Sequence, residues 1–173
     1  MLLRQRIESN FCAIYSTAML MTLRGRHTTR KQALRIFGYD TNWVPPNHDQ
    51  LVKVLSTIAT NKSVRVVCRR FRRPREMVTF AEGSLADKLP LLVTAQCYLP
   101  SHNAFANHAF VLTSVSASGL NLLDSLSARN SDGATHNAQL RLDAKAVRGM
   151  APVAGAPWML DLREPMHFLQ VDV

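Results

Sequence analysis

Cys12 lies in "RQRIESNFCAIYSTAML" (residues 4–20), at the start of an apolar run and seven positions after Gln5. A thiol at the N-terminus of a buried helix meets unpaired peptide N–H groups and the positive end of the helix dipole, and both favour the thiolate. An imidazolium close by lowers the pKa further and makes the sulfur a nucleophile at neutral pH. The same peptide N–H groups can donate to an oxyanion, with Gln5 as a second donor from the preceding segment and Asn10 as the alternative amide. A lone cysteine is more often an inert core residue. A base and an acid supplied from elsewhere reverse that balance.

The candidate base is His108, in "HAFVLTSVS" (108–116), followed by "GLNLLDS" (119–125). The two segments read as a hairpin about Ala117, Ser118 and Gly119. Strand alternation puts His108, Phe110 and Leu112 on one face, and Leu120, Leu122 and Asp124 on one face of the second strand. The turn sets His108 opposite roughly residues 125–127, with Asp124 a short diagonal away. Asp124 is therefore expected to accept the Nδ1 proton of His108 and stabilise the imidazolium, as in a catalytic triad. The alternative for Asp124 is a turn cap in "DSLSARNSDG". His102, in "PSHNAFANH", is a competing base. A zinc site from His102, His108 and Asp124 lacks any close ligand pair, so neither metal nor cofactor is expected.

The elements that would hold these groups follow from periodicity. Residues 12–24 read as a helix apolar almost all round and stopped at Gly25; 29–37 as a short helix capped by Gly38; 47–60 as a helix with an Asn cap. The period then shortens: 63–69 reads as a strand, 83–89 as a short helix, and 91–98, after Pro90, as a buried strand. Beyond the hairpin, 140–149 reads as a last helix and 157–163 as a last strand. Met19 and Met21 are expected in the core, and Trp43 and Trp158 in the core or a cleft wall. Helices first and strands later predict one α+β domain over residues 1–173, a helical half of about 1–60 packed on an antiparallel sheet of about 61–173.

With 173 residues, 47% of them apolar, the chain can bury a substantial core. Cys12, Cys68 and Cys97 are odd in number and widely spaced, which fits neither a disulfide framework nor a metal knuckle. No apolar stretch reaches the roughly 20 residues of a membrane span, and the charged N-terminus is no classical signal peptide. A cytoplasmic setting, or export by a dedicated secretion system, is the expectation. The net charge is +9, and Arg65, Arg69, Arg70, Arg72, Arg73 and Arg75 crowd into "RVVCRRFRRPR". That cluster suits an acidic protein or an anionic lipid surface; no nucleic-acid motif accompanies it, and its plain alternative is a solvated basic strand and turn.

"NFCAIYSTAML" resembles the active-site helix of papain-fold cysteine peptidases, and most closely that of the double-glycine (bacteriocin-leader) peptidase family. "NHAFVLTSVSASGLNLLDS" is similar to that family's His and Asp strands, and "LADKLPLLVTAQCY" to the segment before them. The resemblance spans roughly residues 5–126. It implies a papain-like fold and peptide-bond cleavage through a Cys thioester. In it Cys12 is the nucleophile, His108 the base, Asp124 the orienting acid and Gln5 the oxyanion donor. A lone basic domain of this type also resembles bacterial effectors and toxins. A glutamine deamidase, a transglutaminase or an acyltransferase would use the same triad, whereas a catalytically silent fold of this type would bind an acidic partner.

Overall fold

Leu91, Val93, Phe110, Leu112, Leu120 and Leu122 recur at every second position of three strands, and those strands lie in the middle of a sheet. The computed structural model describes residues 12–26, 29–36, 51–53, 55–56, 64–71, 74–85, 90–116, 119–125, 137–141 and 149–171. Among these the strands are β1 (Val64–Arg69), β2 (Leu91–Leu99), β3 (Ala104–Ser116), β4 (Gly119–Leu123), β5 (Asn137–Arg141), β6 (Met150–Ala154), β7 (Met159–Asp161) and β8 (Met166–Val171). The helices are α1 (Cys12–Leu23), α2 (Arg30–Ile36) and α3 (Pro74–Ser84), with residues 51–53 and 55–56 also helical.

The expected papain-like architecture, a helical half packed on a sheet, is not what the chain adopts. Strands dominate, and six of them close a barrel. The meander β2–β3–β4–β5–β6–β7 returns to β2, where Cys97 pairs with Leu160 and Tyr98 with Met159. The other end of the same β2 edge, Leu92–Thr94, pairs with β8, which carries β1 as the outermost strand of the sheet. Strand β2 thus changes partner midway: Leu92–Thr94 carry β8, and Cys97 and Tyr98 close the barrel on β7.

Several local expectations are corrected with it. Of the helix expected at 83–89, residues 83 and 84 end α3, which runs from Pro74 to Ser84 and was not expected, residue 85 is in a turn, and residues 86–89 lie outside the described residues. The last helix expected at 140–149 begins instead on β5, which holds Leu140 and Arg141, and residues 142–148 lie outside the described residues. The strand at 157–163 is not the last one, because β8 follows it. The strands β6 (MAPVA) and β5 (NAQLR) contain alanine, proline and amide residues, so their β character comes from pairing rather than propensity.

Two apolar clusters follow from strand alternation. The barrel interior gathers Val93, Ala95, Phe110, Leu112, Leu122, Val153, Trp158 and Leu160. On the outer face Leu92, Val111, Leu123 and Leu169 meet Ala13, Met19 and Leu20 of α1, together with Leu51 and Leu55. Helix α1 is therefore covered from Ala13 to Met21, which suits a segment apolar on every side. Its C-terminus is a Schellman turn: Gly25, at φ +79°, donates to Thr22 O at 3.0 Å, and Arg26 N–H donates to Met21 O at 2.9 Å. At the start of α2, Thr29 and Gln32 exchange backbone–side-chain hydrogen bonds in a capping box.

Candidate active site

A buried polar tie fixes the mouth of α1 on β3. Ser16 Oγ donates to Ala109 O at 2.7 Å, and the peptide N–H groups of Ala109 and Ala13 reach the Cys12 sulfur. These backbone groups of β3 face α1 because β4 pairs with β3 no further than Val111. Cys12 remains partly exposed and is hydrogen-bonded to the side chain of His108, one residue before Ala109.

Behind that ring, His108 Nε2 lies 2.7 Å from Asp124 Oδ1. The expected Nδ1 contact is thus reversed: Nε2 serves the carboxylate, which leaves Nδ1 for the sulfur. Asp124 is 0% exposed, so water does not share this bond. Its Oδ2 accepts a hydrogen bond of 2.6 Å from Trp158 Nε1.

The hairpin register explains how His108 and Asp124 meet. From the turn, Ser116 pairs with Gly119, Val115 with Leu120 and Ser114 with Asn121. Continued without interruption, this register would set Asp124 opposite Val111, on the face that packs against α1. A bulge intervenes at Thr113, after which Leu112 pairs with Leu122 and Val111 with Leu123. Extended one pair further, the shifted register sets Asp124 opposite Phe110, on the face that also carries His108. Thr113 secures the extra residue by donating from Oγ1 to Asn121 O at 3.0 Å.

The electrostatics follow from this packing. Burial is the largest influence on His108 and presses it toward neutrality. The charge and hydrogen bond of Asp124, helped by Cys12, outweigh it and hold the pKa up to about 10. For Cys12 burial again acts most strongly and would raise the thiol. The hydrogen bond and charge of His108, with the Ala109 and Ala13 peptide groups, overcome it and leave the pKa lowered. Cys97 is the contrast: burial, with the negative charges of Asp124, Cys12 and Asp161, pushes its thiol well above the usual range.

Cys12 and His108 open onto a cleft of about 470 Å³. Ala13 of α1 and Leu51 line it beside them, and the half-buried Thr94, Gln96 and His167 line it on the sheet. Thr94, Gln96 and Asn107 stand on its floor, and Glu164, Pro165 and His167 on its far side. The register places Ala109, Thr94, His167 and Cys68 in one row across four strands, so the floor leads from the Cys12 end toward β1.

Of the residues expected at the site, Cys12, His108 and Asp124 come together. Gln5, Asn10 and Trp43 lie outside the described residues. His102 does not join them: it is exposed in a 3-10 turn with Nδ1 2.8 Å from Ser101 Oγ. Among the described residues no group of three His, Cys, Asp or Glu side chains could hold a metal. Trp158 lies in the core, as expected, but its hydrogen bond to Asp124 and the cleft residues beyond β2 escaped the sequence reading. Trp158 sits between two strands in "GAPWML", and nothing local there signals a contact 34 positions back along the chain. No family profile matches the chain, and no curated protein matches it in sequence.

Proposed function

We propose that this protein is a cysteine peptidase that cleaves a peptide bond through a thioester on Cys12. The observation that carries the reading is the chain of contacts from a partly exposed thiol, at the mouth of a buried helix, through His108 to a fully buried carboxylate, opening on a cleft. The resemblance of the Cys12, His108 and Asp124 segments to the double-glycine peptidases points the same way.

In this reading the Cys12 thiolate attacks the carbonyl carbon and a C–S bond forms. The oxyanion is met by peptide N–H groups at the start of α1. Nδ1 of the His108 imidazolium gives its proton to the leaving nitrogen, the C–N bond breaks and the amine departs. Water then attacks the thioester while His108 takes its proton; the C–S bond breaks, the acid leaves, and thiolate and imidazolium are restored. Asp124 holds the ring and balances its charge throughout. Among the described residues no helix is long and apolar enough to cross a membrane. The exposed Arg65, Arg69, Arg70 and Arg75, on β1 and around the start of α3, are assigned to docking an acidic protein surface. Arg72 and Arg73 lie outside the described residues.

Mass spectrometry of a bacterial or host-cell lysate, treated with wild type or with Cys12→Ala, tests the reaction. New peptide termini that appear only with wild type are the expected result. A gain of about one dalton on glutamine, without new termini, would replace cleavage by deamidation on the same thioester chemistry. No change in either measure would leave the silent acidic-partner binder.

A further inference from the structure

Asp124 is held from two sides. Its Oδ1 meets His108, and its Oδ2 meets an indole that arrives from the β6–β7 connection. The terminal torsion of an aspartate is broad and roughly two-fold, so a single partner does not fix the carboxylate plane. A second donor on the other oxygen does.

Trp158 is itself locked. It is 2% exposed and stacks on Phe110, with centroids 5.3 Å apart at 23°. Its ring centroid lies 5.1 Å from that of His108. Phe110 and His108 share the barrel-facing side of β3, so one indole touches the acid, the base and the aromatic between them. It also keeps water from the bond between Asp124 and His108, and hydrogen bonds strengthen in such a low-dielectric setting.

We propose that Trp158 is a positioning residue for the Cys12–His108 pair: its Nε1–H fixes the rotation of Asp124 so that Oδ1 stays on His108 Nε2. The inference rests on reading Cys12 and His108 as the reactive pair, but it makes no demand on the substrate. Among the described residues, the ionisable groups that act on this cluster are Cys12 on α1, His108 on β3, Cys97 on β2 and Asp161 on β7. Cys97 is buried and neutral, and Asp161 is tied to Arg163 at 2.8 Å. The pH response of the thiol therefore follows the line from Trp158 through Asp124 and His108 to Cys12.

The test is the pH midpoint of iodoacetamide alkylation at Cys12, measured peptide by peptide in wild type, Trp158→Phe, Asp124→Asn and the double variant. Phenylalanine keeps a ring at the site and removes the donor. Trp158→Phe is expected to raise the midpoint by about one pH unit, through a weaker hold of Asp124 on the imidazolium. The double variant should titrate no higher than Asp124→Asn alone, because Trp158 acts through that carboxylate. An unchanged midpoint in Trp158→Phe, or shifts that add in full in the double variant, overturns the inference and leaves Trp158 a packing residue.

Should Trp158→Phe fail to fold, the benzothiophene analogue of tryptophan at position 158 keeps the bicyclic shape and removes only the N–H. The same shift is expected from it. A wild-type Cys12 that titrates as an ordinary thiol would instead defeat the peptidase reading, so the two failures are told apart.

Discussion

His108 keeps a proton in surroundings where burial alone would remove it, and the reason is the carboxylate 2.7 Å away. The reactive form of the pair needs Cys12 deprotonated and His108 protonated. It accordingly exists above the Cys12 pKa, which His108 holds below the ordinary thiol value, and below the His108 pKa of about 10. The kcat/KM profile for a substrate found by terminus mapping is predicted to rise with Cys12 ionisation and to fall as the pH passes about 10. A profile that falls already near 6.5, the value of a free histidine, would mean that Asp124 does not support the ring. At this scale the residue types were readable: a Cys before an apolar helix, and a His and an Asp in a hairpin. Ring orientation was not, because spacing along a strand does not distinguish Nδ1 from Nε2. Nor was Trp158, whose role depends on a contact made across the barrel.

At the level of elements, the strands at 64–69, 91–98 and 108–116 could be read from their β-branched and aromatic residues, and the one from 119 from its alternating leucines, although β3 begins four residues earlier, at Ala104, and β4 ends at Leu123. Helix α1 was legible for the same kind of reason, its uninterrupted apolar run and Gly25 stop. What local pattern cannot show is a bulge. An unbroken hairpin would have turned Asp124 toward α1, and the extra residue at Thr113 turns it toward His108. Because Thr113 is the unpaired residue, its deletion is predicted to remove the bulge while Leu112 stays opposite Leu122 and Asp124 stays opposite Phe110, so that rapid alkylation of Cys12 is retained and far-UV circular dichroism still reports a β-rich fold. Loss of rapid alkylation in that variant would show that the pairing beyond the bulge does not by itself hold His108 and Asp124 together. Strands β5, β6 and β8 were missed or misassigned for a different reason. Their residues have weak or mixed propensity, and only neighbours distant in sequence select the extended form.

Across the whole molecule, the change of partner along β2 decides the architecture. An order of helices first and strands later says nothing about whether a meander returns to its first strand, so a helical half on an open sheet was expected where a barrel closes. That closure places the three thiols in unlike surroundings. Cys97 is buried inside the barrel, Cys68 is exposed on the outermost strand, and Cys12 is partly exposed beside His108. The most direct measurement is the alkylation rate of each cysteine in the folded wild-type protein at pH 6 and pH 8, repeated with His108→Ala. Cys12 should react faster than Cys68 at pH 6 despite its lesser exposure, Cys97 should stay unlabelled, and His108→Ala should bring Cys12 down to an ordinary rate. Equal rates for Cys12 and Cys68 at both pH values, indifferent to His108, would contradict a thiolate–imidazolium pair and the enzyme built on it.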